Sequence, residues 1–382
     1  MSAIVTNAAS SKCLVVTRSL GKRDIDVTTL GYNRFCPTFY SKYSNNYLMV
    51  PSPKNFPAEY IKQLVKVVNS GKIDVLMPVN SVDTLLISKF KYKFTPYIKV
   101  PFSDYDQMLQ LHDKVQLSKI AGDLGLPVPI SYEISSMDEL KNVASSAEYP
   151  LVIKLRNTTS SVGISYAHTP EEFVFNFKET IEKFNLTPNQ YPLVQEYIPG
   201  DGYGVSSLYN QGDLRAFFVH KRLREYPVTG GPSTLRTSVR HSKMEKISRE
   251  LLEHMGWHGL AMVEFKLDSR TNKPYLIEVN PRFWGSINQA VSSGVDFPNL
   301  LYDMAVEGDV QPVFKYKEGV KTRSLFNDLR SFPGYFRKSK SRTELIKDFI
   351  KFKEHDLYYD VLSTEDVLPS LFFSCRGLLN RF

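Results

Sequence analysis

Cysteine is scarce in this 382-residue chain: only Cys13, Cys36 and Cys375 occur. They are odd in number and far apart, so they outline neither a disulfide framework nor a metal-binding spacing. A reducing, cytoplasmic setting is the expectation that follows. Long apolar runs are also missing. No window approaches the roughly eighteen uninterrupted apolar residues of a bilayer-spanning helix. The first residues lack a charged start followed by an apolar core, so no signal peptide is expected. Glycine is absent from the turn after the first apolar strand, Asn7-Ala8-Ala9-Ser10-Ser11. The glycine-rich turn that admits a dinucleotide pyrophosphate cannot form there, which argues against a nicotinamide-dependent dehydrogenase. No internal repeat is found. The net charge is +8 and the pI about 9.1, which favours an anionic partner without choosing one. The basic residues form no stripe interleaved with aromatics, so no nucleic-acid partner is expected.

What is present suits a globular protein of two or three packed units: 42% apolar and 23% charged residues. Ala3–Thr6 reads as a buried strand, the next dozen residues as a helix, and Ile25–Thr28 as a second strand. An amphipathic helix around Tyr60–Asn69, closed by Gly71, precedes a strand over Ile73–Val79. This alternation predicts a small doubly wound parallel sheet within an α/β fold. Further on, the pattern predicts a helix from His112 to Leu124, strands at Leu151–Leu155 and Leu193–Glu196, and helices at Glu171–Phe184 and Ser242–Met255.

The most informative stretch is Ala261–Leu267, a turn-rich segment Asp268–Pro274, then Tyr275–Asn280. It reads as an antiparallel hairpin centred on Thr271, which puts Glu264 opposite Glu278 and Asn280 on the same face. Facing carboxylates repel unless a cation lies between them, and Mg²⁺, with its preference for hard oxygen ligands, is the natural one. A solvated hairpin face is the alternative. Arg282 could set a fixed positive charge against a phosphate or acyl-phosphate. Lys154, in an apolar strand, is either an edge residue or a phosphate contact. The following loop, Thr158 to Gly163 with Ser160 and Ser161, offers hydroxyls and backbone N–H groups of the kind that wrap phosphates. The strand ending Gln195-Glu196-Tyr197-Ile198-Pro199-Gly200 breaks where backbone groups could read an adenine edge. Arg222, Arg224 and Arg236 suit carboxylate recognition, and the Gly230–Thr234 turn could present Ser233 and Thr234 to an acyl-phosphate. Asn80 or Asp83 could touch an amine, or simply cap a helix.

In order, Asp-Lys at 113–114, Ile-Lys at 153–154, the small-residue loop, Gln-Glu-Tyr-Ile-Pro-Gly, Val-Glu-Phe and Ile-Glu-Val-Asn-Pro-Arg resemble the ATP-grasp superfamily. Among its members the carboxylate–amine ligases, carbamoyl-phosphate-synthase-like or D-aspartate-ligase-like, are the nearest in pattern. The resemblance covers roughly residues 1–305. It implies a Rossmann-like pre-ATP-grasp domain over 1–110, an ATP-grasp domain over 111–305 with subdomains at about 111–195 and 196–305, and a basic extension over 306–382. It further implies that Lys114 and Lys154 contact phosphates and that Glu196, Tyr197 and Ile198 hold adenine; where many members have a glutamate for the ribose this chain has Asp201, so that contact either passes to Asp201 or is lost. Glu264, Glu278 and Asn280 would ligate Mg²⁺ (or Mn²⁺), and Arg282 would steady the acyl-phosphate; Arg236, on the carboxylate side, is the second catalytic candidate. The implied activity is ADP-forming ligation of a small carboxylate to an amine. An ATP-grasp phosphotransferase, an acyl-CoA synthetase and a non-catalytic ATP-binding module stand as alternatives. A homo-oligomer is expected. The apolar, arginine-tipped end, Leu368–Phe382, could dock on the body of the protein or lie on a membrane surface or an oligomer partner.

Overall fold

The computed structural model describes residues 1–71, 73–158 and 162–379. The chain begins with a parallel sheet of β1 (Ser2–Val5), β2 (Asp26–Gly31), β3 (Asn46–Met49) and β4 (Val75–Met77), in the order β3-β2-β1-β4. The first helix, Ser11–Gly21, starts where the Ser10 hydroxyl accepts the Cys13 N–H at 3.2 Å. The order reverses between β1 and β4, so the helices that follow these two strands diverge and leave a crevice at their carboxyl ends.

The helix expected from His112 to Leu124 is Lys114–Asp123, and a second helix, Tyr105–His112, which the pattern did not predict, precedes it. Asp113 separates them in an extended conformation. Its carboxylate accepts the N–H groups of Val115 (2.8 Å) and Gln116 (3.3 Å) and the guanidinium of Arg156 (2.8 Å). A capping carboxylate restarts a helix more effectively than a continuous turn would retain it.

A small lobe follows, with β5 (Ser131–Tyr132), β6 (Leu151–Lys154), β7 (Ser165–Ala167) and β8 (Leu193–Glu196) in the order β5-β8-β6-β7. The helices Met137–Ser146 and Pro170–Phe184 supply Leu140, Phe173 and Phe177 to a core of its own. The chain leaves this lobe through Tyr197–Pro199 and enters the next sheet at Gly200. Gly200 has φ +131°, and a Cβ there would lie 1.9 Å from the Leu267 carbonyl oxygen, so only glycine fits.

The largest sheet contains β9 (Gly200–Asn210), β10 (Asp213–Glu225), β11 (Ser233–Ser238), β12 (Gly259–Asp268), β13 (Pro274–Asn280), β14 (Lys321–Arg323) and β15 (Leu357–Tyr359), in the order β13-β12-β9-β10-β11-β14-β15. Its hydrophobic core is continuous with that of the N-terminal sheet, running from Ile4 and Leu76 to Trp257 and Trp284. Residues after 306 thus supply two strands of this sheet rather than trailing from it. The last helix, Val367–Leu379, packs on the N-terminal sheet's flank: Phe372 stacks on Tyr40 at 3.9 Å and Asp366 takes the Arg18 guanidinium at 2.8 Å. Among the described residues no helix is long and apolar enough to cross a membrane.

Candidate active site

The hairpin of β12 and β13 places Glu264 directly opposite Glu278. The route to that pairing differs from the simple count. Leu267 pairs with Pro274 and Phe265 with Leu276, so the turn centre lies between Arg270 and Thr271. Unbulged, Glu264 would face Ile277. A bulge at Ile277 restores the two glutamates to one face. Asn280, two residues on, donates from Nδ2 to Glu264 Oε1 (2.9 Å) and Glu278 Oε1 (3.2 Å). Arg222 of β10 ion-pairs with Glu264 and reaches Glu225 at 3.4 Å. Lys114 Nζ stands 3.6 Å from Glu278 Oε2.

These charges divide the work between the two carboxylates. Burial, with Glu278 opposite, pushes Glu264 up to about 7 against the pull of Arg222. Burial also opposes charge on Glu278, but Lys114, Arg222 and the Asn280 amide outweigh it and leave Glu278 below the usual range. Among the described residues no three His, Cys, Asp or Glu side chains gather as a metal cage. The donor set is two carboxylates and an amide, which fits a divalent cation that keeps phosphate and water oxygens among its ligands.

The pair lies in the wall of a cavity of about 510 Å³ that all three sheets share. From the small lobe come Lys154 and Glu196, Tyr197 and Ile198. Lys154 Nζ donates to Gln195 Oε1 at 2.9 Å, and burial, then Lys114, lowers its pKa to about 8. Lys266, beside it, donates to the Gly200 carbonyl at 3.0 Å. The N-terminal domain contributes Lys12, from the first turn of the helix after β1, and Asn80 and Ser81, from the start of the helix after β4. Arg282 joins the two walls, donating to Ser81 Oγ at 2.6 Å and to Asn280 Oδ1 at 2.5 Å. The far end is closed by Ser233, Arg236, Asn327 and Asp360.

Several expectations are corrected. Arg224 does not line the cavity. The register passes from Arg222–Arg236 to Arg224–Leu235, so a bulge at Leu223 turns Arg224 to the other side of the sheet, where it is buried against Asp328 (2.6 Å). Thr234 goes with it, donating to Asp328 Oδ1 at 2.8 Å. Asp201 is no wall residue either; Lys221 holds it at 2.6 Å. Gly163, at φ +70°, backs onto Leu155 and shapes the loop. Lys114 sits behind Glu278 with its ammonium on the Thr158 carbonyl at 2.7 Å. Arg236 lines the cavity but is ion-paired with Asp360. Ser160 and Ser161 lie outside the described residues. Asn80 is the N-cap of Ser81–Lys89 without a side-chain capping bond, whereas Asp83 is buried and accepts from Thr6 at 2.6 Å. The reading from sequence missed Lys12, Ser81, Lys266, Asn327 and Asp360. Only Lys12 carried a local signal, a lysine in the first helical turn beyond a parallel strand.

Behind Lys114, His112 is buried. Burial first, then Lys114 and Arg282, depress its pKa to about 4. The folded state therefore refuses a proton that the unfolded chain accepts near its ordinary value. This contribution is fully present above about pH 6.5 and is lost as pH falls toward 4, by up to about 3 kcal/mol. His112→Gln should lose less stability than the parent over that window, checked by urea midpoints at pH 7 and pH 4.5. Equal losses would refute it.

Comparisons with known proteins follow the same outline. A family model described as "ATP-grasp in the biosynthetic pathway with Ter operon" matches residues 189–326. The carbamoyl phosphate synthase large chain of Pyrococcus furiosus is 24% identical over 206 residues, 52% of this chain and 19% of that protein. The D-aspartate ligase of Enterococcus faecium is 24% identical over 274 residues, 65% of this chain and 63% of that protein. This chain therefore spans about a fifth of the first and less than two thirds of the second. A crystal structure of a biotin carboxylase–β,γ-ATP complex from Campylobacter jejuni superposes with a TM-score of 0.69 at 14% identity, covering 84% of this chain and 74% of that one, a likeness of fold.

Proposed function

We propose that this chain, whose residues 189–326 match an ATP-grasp family model, is an ADP-forming carboxylate–amine ligase using ATP and Mg²⁺. The observation that carries the reading is the opposed pair Glu264 and Glu278, with Asn280 and Arg282, in the wall of a cavity whose other walls are basic. Glu264 and Glu278 would hold the metal. Asn280 would join them after turning its amide, since its oxygen now faces Arg282 and its nitrogen faces the carboxylates. Magnesium, when bound, would neutralise phosphate oxygens at the site of transfer.

Glu196, Tyr197 and Ile198, at the passage between lobes, would seat adenine, and Lys154 and Lys266, which line the same cavity, would contact the phosphates. Transfer proceeds as the substrate carboxylate oxygen attacks the γ-phosphorus and ADP leaves. The amine nitrogen then attacks the acyl carbon, phosphate leaves with the bond electrons, and the amine proton passes to solvent. Arg282, fixed by Ser81 and the Phe283 carbonyl (2.7 Å), presents a preorganised charge to the acyl-phosphate. Closure over a 510 Å³ cavity would exclude water that could hydrolyse that intermediate.

The test is Mg²⁺-dependent ADP release across pooled carboxylates, with hydroxylamine as a general amine and hydroxamate as the product. ADP and hydroxamate formed in equal amounts support the ligase. ADP without hydroxamate favours phosphotransfer, and ATP bound without release in any pool favours a binding module.

A further inference from the structure

The cavity's basic side chains fall into three groups. Lys154 and Lys266 stand at the lobe passage, Lys266 on the Gly200 carbonyl and Lys154 on Gln195. Arg222 and Arg236 have carboxylate partners, Glu264 and Asp360. Lys12 and Arg282 lie at the opposite end, where the N-terminal sheet meets the hairpin; among the described residues neither has an ion-pair partner, although Arg282 lies in the field of Glu278 and Glu264 on its hairpin side. Among the described residues Arg282 bonds to Ser81, the Phe283 carbonyl and Asn280. Lys12 has no hydrogen-bond or ion-pair partner among the described residues, yet it lines the cavity. The acid closest in effect, Asp83, is buried and bonded to Thr6, and burial holds its pKa up at about 6.

Two cations that line one end of a cavity and repel each other favour an anion in the space they share. The strain of the arrangement is visible at Lys12, whose pKa burial and then Arg282 push well below the ordinary value. The backbone adds to the field. The helices Ser11–Gly21 and Ser81–Lys89 both begin at this end of the cavity, and their first turns present positive partial charge. Asn80, whose side chain makes no capping bond, faces the same space. The seat lies at the reversal point of the parallel sheet, across Arg282 from the metal-side carboxylates, so the nucleotide's phosphates are served from the other direction.

Resting on the ligase reading, we propose that Lys12 and Asn80 seat a second acidic group on the carboxylate substrate, so that the acid this chain activates is a dicarboxylate. One carboxylate would reach the γ-phosphate beside Arg282 while the other is held at Lys12. Lys12 is then a specificity-determining residue, and its removal should flatten discrimination rather than abolish nucleotide binding.

The experiment uses the full chain and two pairs of near-isosteric probes, succinate against butyrate and glutarate against valerate. Binding is measured by calorimetry with and without Mg²⁺ and a non-hydrolysable ATP analogue. The parent should bind at least one dicarboxylate about tenfold or more tightly than its monocarboxylate match, the worth of one charge-assisted hydrogen bond. Lys12→Met, which keeps the stem and drops the charge, should bring the two members of that pair within about threefold while still binding the analogue. Lys12→Arg should keep most of the preference. Absence of a dicarboxylate preference in the parent, including no binding of either member, overturns the proposal, as does a preference that survives in Lys12→Met. Failure of the analogue to bind the parent would count against the nucleotide reading instead, and a Lys12-dependent preference without it would leave the acidic seat standing.

Discussion

Glu264→Gln is expected to lose at least about a hundredfold in Mg²⁺-dependent turnover, since altering even a metal ligand's outer-shell partner costs ten- to a hundredfold. The same change should raise stability in EDTA at pH 8. Glu264 faces Glu278 directly and is partly buried, and its carboxyl is pushed up to about 7. A carboxyl whose folded pKa lies above its unfolded value opposes folding once ionised. The penalty is absent below about pH 4.5, grows as pH rises through 7, and is then fully present. Glutamine keeps the shape, removes the charge, and leaves Arg222 its second acid, Glu225, at 3.4 Å. A structural glutamate would show the reverse, with stability falling and turnover following it. Urea midpoints at pH 4.5 and 8 beside turnover at pH 8 separate the two cases. A variant that is less stable at pH 8 than its parent would be incompatible with a pair held apart for a cation. Activity traded against stability in this way is the usual mark of a functional site.

The juxtaposition of the hairpin carboxylates was legible because the information is local. Glu264, Glu278 and Asn280 lie on one hairpin with Arg282 just beyond it; alternation puts Glu278 and Asn280 on one face, and the bulge at Ile277 brings Glu264 opposite them. Lys154 and Glu196–Ile198 were legible for the same reason, as ends of short apolar strands. What alternation cannot supply is the position of a bulge. A single extra residue at Leu223 separates Arg222 from Arg224 and sends them to opposite faces, while another at Ile277 corrects a misplaced turn centre. Nor does local pattern reveal partners across the chain. Ser81 meets Arg282 from 201 residues away, and Asp360 meets Arg236 from 124. The strands β14 and β15, three residues each, were invisible for a related reason. Too short to show a period, they are held by pairing with β11 and with one another.

That pairing depends on a buried charge cluster, and Asp328→Ala is expected to destabilise the protein by about 3–5 kcal/mol. Asp328 is fully buried and accepts from Arg224 Nε (2.8 Å) and Nη2 (2.6 Å), Arg323 Nε (2.6 Å) and Thr234 Oγ1 (2.8 Å). These donors come from β10, β14 and β11, so one carboxylate fastens the segment after residue 306 to the sheet. Removing it strands two guanidiniums that are each nearly inaccessible to water, 5% and 1% exposed. Arg224 retains Asp348, but that acid is 56% exposed and contributes little. Arg224→Ala should therefore be the milder change, because Arg323 and Thr234 still satisfy Asp328. Asn327, the neighbour of Asp328, and Asp360, just past β15, line the cavity. Loosening this edge should then weaken turnover as well as stability, in that order as urea is raised. Equilibrium unfolding of the two variants decides it. A loss below about 1 kcal/mol for Asp328→Ala, or a larger loss for Arg224→Ala, would mean that the apolar contacts of Phe349, over whose ring Arg224 lies at 4.0 Å, hold the segment in place of the charges.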